Sequence, residues 1–147
     1  MTNIAAVQNA PEPAMADRYR DVTGSRTISN HRPVKCPTDL YTWWINELWA
    51  GRRKAQDLVS PDFVGHWPTH DVHGPEELQT VIDDTRGSLR ELAFVVDVGP
   101  FTVGDMVAAR WIGTGSTKKG PARLTGNDIL RIANGKVVEY WSGTSLA

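Results

Sequence analysis

Gly126-Asn127-Asp128-Ile129-Leu130-Arg131-Ile132-Ala133-Asn134-Gly135-Lys136-Val137-Val138-Glu139-Tyr140-Trp141 carries the firmest structural signal in the chain. Two runs of strand composition flank Asn134-Gly135, and Asn-Gly is the preferred pair for a two-residue hairpin turn because both positions accept positive φ. With Ala133 opposite Lys136, antiparallel pairing sets Ile132 against Val137, Leu130 against Glu139 and Asp128 against Trp141. One face then carries Asp128, Leu130, Ile132, Val137, Glu139 and Trp141, and the other Ile129, Arg131, Lys136, Val138 and Tyr140. Both cations fall on the second face, which marks it as the wetter one and places two carboxylates on the interior face. A three-residue loop with a glycine bulge would bring Tyr140 inside in place of Glu139, and parity leaves that alternative open.

Working outward, Ala93–Val98, Phe101–Val103, Met106–Gly113 and Ala122–Ala133 also have strand composition and are separated by Gly-Pro and Gly-Asp turn signals. Helical segments precede them. Thr38 is placed to cap a helix running to about Ala50, on which Leu40, Tyr41, Trp44, Ile45 and Leu48 gather on one face at roughly 100° per residue. Trp43 falls roughly 130° from the centre of that face, so it is expected to meet solvent or a partner. Lys54 to Val59 reads as a short helix stopped by Ser60-Pro61, because a residue before proline is pushed out of helical geometry. Asp62–Trp67 reads as extended, and Pro75, Glu76 and Glu77 open a third helix that runs to about Leu89. Helices first and an antiparallel meander afterwards define an α+β fold. Its helices pack on one face of a curved sheet and leave an apolar concavity between the layers.

The 147 residues fit one domain, expected over 38–147, after an arm over 1–37 whose Ala, Pro, Asn and Ser content lacks apolar periodicity. Sixteen Lys and Arg against seventeen Asp and Glu leave a net charge of −1, which gives no basic excess for nucleic acid or an anionic membrane. Cys36 is alone, so neither an internal disulfide nor a cysteine-rich zinc site is available. No apolar run of about 18 residues and no secretory leader pattern is present, and a cytoplasmic location is the expectation.

A carboxylate on an apolar, half-dry surface has its charged form disfavoured, which moves its pKa toward the range useful for proton transfer. Asp128 and Glu139 are therefore candidate acid/base groups, although pairing with Arg110, Arg123 or Arg131 would make either one merely structural. His66, His70 and His73 lie in a loop segment without helical His-x-x-x-His spacing, so no metal site is expected. Six tryptophans exceed the needs of a core this size. Trp44, Trp67, Trp111 and Trp141, with Tyr41 and Leu130, are the expected walls of a pocket for a flat, unsaturated ligand. No phosphate-binding loop or other cofactor motif is found.

The terminal hairpin resembles the closing hairpin of the SnoaL-like polyketide cyclases, whose pattern is close to G-x-D-I-x-R-x-x-D-G-K-I-V-E-x-W. Upstream, Asp62-Phe63-Val64-Gly65-His66 with Gly74-Pro75-Glu76-Glu77-Leu78, and Gly104-Asp105-Met106-Val107-Ala108-Ala109-Arg110-Trp111, are similar to two further segments of that family, in the same order. The resemblance covers roughly Asp39 to Trp141 and implies the cone of the nuclear-transport-factor-2-like superfamily. It also implies that Asp128 is the general acid/base of a cofactor-free cyclase or isomerase acting on an apolar polyketide-type intermediate of antibiotic biosynthesis. Glu139, Tyr41 or His66 would then supply the second proton-transfer or hydrogen-bonding group, and a homodimer is expected through the face carrying Val138 and Tyr140. The aromatic-polyketide cyclases carry a histidine where Gly115-Ser116-Thr117-Lys118 offers threonine, so ring closure other than aldol is plausible. A non-catalytic small-molecule binding module and a cofactor-free hydroxylase are the alternatives on the same cone.

Overall fold

The structure, a computed structural model, describes residues 36–146, and the expected arm over 1–37 lies almost wholly outside them. Helix α1 spans Pro37–Trp43, with Cys36 rather than Thr38 at the N-cap. Proline at the first helical position forfeits only an amide that has no intrahelical partner, so the helix begins before Thr38. It then widens into a π-helical turn over Trp44–Leu48. Helix α2 spans Ala55–Leu58, and α3 spans Gly74–Ser88 with Glu76 and Glu77 in its first turn.

Six strands follow the expected composition: β1 Val59–His66, β2 Asp71–His73, β3 Arg90–Val103, β4 Met106–Thr117, β5 Gly120–Ala133 and β6 Lys136–Leu146. They form one curved sheet in the order β2-β1-β6-β5-β4-β3, open at β2 and β3 rather than closed into a barrel. Every pairing is antiparallel except β1 beside β6, which is parallel. Val59, expected to end the second helix, opens β1 instead. The β1–β6 register shifts between Val59 and Val64, where Pro61 has no amide to give the ladder.

One sheet face and the helices share a core. Leu40, Tyr41, Trp44, Ile45 and Leu48 from the first helix and Leu78 and Ile82 from α3 are buried against Phe63, Val107, Ala109, Trp111, Leu130, Ile132, Val137 and Tyr140. Trp43 lies off this face, half-buried, with the Arg53 guanidinium carbon 3.9 Å from its ring centroid. At Gly126 a Cβ would stand 2.3 Å from the indole of Trp111, so only glycine lets that ring lie flat across β5.

The hairpin turn at Asn134-Gly135 has positive φ at both residues and pairs Ala133 with Lys136 and Ile132 with Val137, as expected. A bulge then intervenes. Val138 has no partner, and the ladder resumes with Arg131 opposite Glu139, Leu130 opposite Tyr140 and Asp128 opposite Ser142. One extra residue exchanges the faces of everything beyond it, so Tyr140 turns inward and Glu139 and Trp141 turn outward.

Candidate functional site

Asp128 stands on β5 in the layer between sheet and helices and is only 2% exposed. Tyr140 donates its hydroxyl to Oδ1 at 2.8 Å and Tyr41 donates to Oδ2 at 3.1 Å. Burial raises the pKa of the carboxyl above the ordinary carboxylate range. Hydrogen bonding from Trp111, Tyr140 and Tyr41 favours the ionised form and only partly offsets this. The buried Trp44 Nε1 also bears on the carboxylate, but it makes no well-formed hydrogen bond. Burial, and then the nearby Asp128, push both phenols well above the tyrosine range, so Tyr41 and Tyr140 remain donors. Among the described residues no Arg, Lys or His forms an ion pair with Asp128.

Above Asp128 lies a cavity of about 210 Å³ walled by Trp49, Trp67, Phe94, Trp111 and Tyr140, with Ile45, Leu89, Leu92 and Leu124 between the rings. The rings form a chain of contacts from Trp67 through Tyr140, Trp44, Trp49 and Phe94 to Trp111, with successive centroids 5.0, 4.9, 6.1, 6.4 and 5.2 Å apart. Neighbouring planes meet at 54–84°, so the belt bends around the space instead of stacking into a slab. Asp128, bonded to Tyr140, lines the same space.

Asp128, Trp67 and Trp111 are thus brought together, with Tyr41 bonded to the carboxylate and Trp44 packed behind Tyr140. Leu130 is fully buried beneath the cavity and does not line it. Glu139, His66 and Trp141, expected at the pocket, lie instead on the outer face. There, His66 Nδ1 is 3.0 Å from Asp71 and Nε2 is 2.9 Å from Glu139, Arg131 donates to Glu139 at 2.7 Å, and the Trp141 ring lies beside His66 and Arg131. The bulge at Val138 is the physical reason for Glu139 and Trp141, whereas His66 faces outward because alternation along β1 turns Phe63 and Gly65 inward. The expected dimer surface loses Tyr140 to the core through the same bulge.

Sequence parity assigned no role in the pocket to Trp49 or Phe94 and left Tyr140 open as the alternative to Glu139. Trp49 lies roughly 140° from Trp44 on an α-helix, whereas in the π turn its amide bonds to the Trp44 carbonyl at 3.1 Å and its ring meets that of Trp44 edge-on. Phe94 was legible in principle, since alternation along β3 places Phe94 and Val96 on the buried side. Among the described residues no group of three or more His, Cys, Asp or Glu is placed to hold a metal, and no helix is long and apolar enough to cross a membrane.

The SnoaL-like domain matches residues 42–140, and the chain belongs to this family. Similar solved structures share the fold. IdmH, a candidate polyketide cyclase from Streptomyces antibioticus, is 22% identical with a TM-score of 0.64, covering 76% of this chain and 93% of IdmH. AclR, a candidate hydroxylase from Streptomyces galilaeus, is 19% identical with a TM-score of 0.59, covering 74% of this chain and 75% of AclR. An NTF2-like protein of unknown function from Exiguobacterium is 20% identical with a TM-score of 0.59, covering 75% of this chain and 98% of that protein. No functionally curated protein sequence matches the chain significantly.

Proposed function

We propose that the protein is a cofactor-independent enzyme of the cyclase or isomerase type, acting on an apolar intermediate of polyketide-like secondary metabolism. The observation that carries this reading is a buried carboxyl, Asp128, that lines an aromatic cavity and, among the described residues, has no cationic partner. Such a group holds its proton at higher pH than a surface aspartate and returns it readily, which suits general acid/base work near neutrality. Tyr140 takes the auxiliary role otherwise expected of Glu139 or His66, because its hydroxyl bonds to the acid and its ring lines the same space. Tyr41, buried behind the carboxylate, positions it. At about 210 Å³ the cavity lies below the usual 300–1,000 Å³ of ligand pockets, which favours a compact substrate folded into one or two rings.

The chain acts in the cytoplasm as a homodimer in this reading. An apolar row crosses the outer sheet face through Phe101, Ala108, Ile129 and Trp141, which are paired in register, and Phe101 and Ile129 are exposed. Light scattering on the wild type and on Ile129→Lys checks it, with a dimer expected for the first and a monomer for the second.

The test of the reaction is product analysis with a panel of small polyketide-like compounds, run with the wild type beside Asp128→Asn. A new cyclised product from the wild type alone supports an enzyme that uses Asp128. Binding by both proteins without product from either supports the binding module instead.

A further inference from the structure

We propose that the indole N–H of Trp44 is a reserve donor for Asp128: idle against the neutral acid, it bonds to the carboxylate once the proton has left, which makes Trp44 a positioning residue for the acid. This rests on the acid/base reading of Asp128 and adds what receives the charge when that acid gives up its proton.

Four donors converge on one carboxyl. Tyr140 donates to Oδ1 at 2.8 Å and Tyr41 to Oδ2 at 3.1 Å, while the indoles of Trp111 and Trp44 bear on the same group. An ionised carboxyl accepts at about four lone-pair sites, whereas the neutral acid gives one of them to its own proton. The phenols can turn and accept a bond from that proton, but an indole only donates. The count therefore closes for the carboxylate, and the neutral acid leaves one indole without an acceptor. Trp44 is that indole: its Nε1 is buried and has no hydrogen-bond partner among the described residues. A buried orphan donor is costly, and the cost is recovered in the form of the acid that accepts one more bond.

The titratable groups facing Asp128 are Tyr41 from α1 and Tyr140 from β6, and among the described residues no Arg, Lys or His pairs with it. Trp44 is held in place, its ring set against Tyr140, Trp49 and Phe63 with centroids 4.9, 6.1 and 6.3 Å away. The π turn that opens at Trp44 fixes it from the backbone side, since its carbonyl accepts from the Trp49 amide at 3.1 Å. The carboxyl is the mobile partner, because its terminal torsion is a broad two-fold rotor. In the acid step the carboxyl O–H bond breaks, its electron pair stays on the Asp128 oxygen, and the proton passes to a basic atom of the substrate. The oxygen so charged takes the Trp44 N–H. Return of the proton releases the indole, so the cycle needs no oxidant or reductant.

The free protein tests this through the titration of Asp128, followed by the carbon resonance of isotope-labelled aspartate and assigned with Asp128→Asn. Replacing Trp44 by benzothienylalanine, which keeps the shape of the ring and puts sulfur in place of the N–H, should raise the midpoint by roughly one to two pH units. The same replacement at Trp141, on the outer face, should leave it unchanged. In the wild type, with labelled indoles, the Trp44 N–H resonance should move downfield with the same midpoint as Asp128, and this measurement needs no variant to fold. An indole that is only packed moves neither quantity. An unchanged midpoint, or a Trp44 resonance that stays flat through it, overturns the proposal and leaves the acid/base reading intact. A carboxyl that keeps one form from about pH 4 to 10 overturns that reading and the proposal together.

Discussion

Asp128 and Glu139 stand on the two arms of one hairpin, yet they occupy opposite chemical settings. Asp128 faces inward, 2% exposed, bonded to two tyrosines and, among the described residues, to no cation. Glu139 faces outward, its side chain 26% exposed, between Arg131 and His66. The first setting disfavours the charged form of the acid, and the second surrounds the acid with hydrogen-bond and ion-pair partners. The difference teaches that composition and parity nominate acids, while one unpaired residue decides which of them works. Without the bulge at Val138, the two arms would present both carboxylates to the same dry space.

The comparison breaks first on activity. Asp128→Asn should reduce turnover of an identified substrate by about 10²- to 10⁴-fold, and Glu139→Gln should leave it within about twofold, measured as kcat on folded protein. Equal losses in the two variants would erase the functional distinction between the faces. The same Asp128→Asn variant reports on stability. The folded-state pKa of Asp128 is raised, so its contribution is fully present below the unfolded pKa near 4 and is lost as pH rises through the folded value. Denaturant titrations across that window should therefore show wild-type stability falling relative to the variant as pH increases.

Deletion of Val138 tests the device itself. Removing the unpaired residue leaves Ile132 opposite Val137, Arg131 opposite Glu139 and Leu130 opposite Tyr140 in strict alternation, so Tyr140 should stay inward, Glu139 outward and stability close to that of the wild type. A loss of about 3–5 kcal/mol would show instead that Glu139 has been carried inward as a buried, unpartnered charge.

Much of the fold was legible because it follows from local rules: the Asn-Gly turn, Pro75 with acids after it, and the alternation along β4 and β5. Asp128 was legible by the same alternation, since it lies on the turn-proximal strand where no bulge intervenes. What escaped depends on pairing. Composition does not say whether a bulge is present, so parity placed Glu139 and Trp141 inside and left Tyr140 only as the alternative. The π turn likewise defeats a period of 3.6 and conceals Trp49. The parallel contact that carries His66 to Glu139 needs β1 to find β6 across the chain, and no nearby residue encodes it.

Smaller effects sharpen the contrast within the inner face. Tyr140→Phe and Tyr41→Phe each remove one donor from a buried carboxyl and should each destabilise by about 1–3 kcal/mol in chemical denaturation. Only Tyr140 lines the cavity. Its loss should therefore also reduce kcat, while Tyr41→Phe should act chiefly by shifting the acid limb of the pH–rate profile, because it weakens the hold on one carboxylate oxygen.

His66 supplies the smallest effect and the one that isolates the outer face. Its two ring nitrogens face the acceptor oxygens of Glu139 and Asp71, so the doubly protonated ring satisfies both; hydrogen bonding to Glu139, then to Asp71, raises its pKa above 6.5. A raised histidine pKa means that the stabilisation is fully present below the unfolded value near 6.5 and is lost as pH climbs through the folded value. The ring is half-exposed, so solvent screens the pair and His66→Gln should cost no more than about 1 kcal/mol at pH 5.5. That cost should shrink toward zero by pH 9 and fall further in high salt, whereas the penalties of the buried tyrosine variants should not respond to salt. A His66→Gln deficit that grew with pH would mean that the imidazole works there as a neutral hydrogen-bonding group, and Arg131 would then be the only cation that Glu139 meets among the described residues.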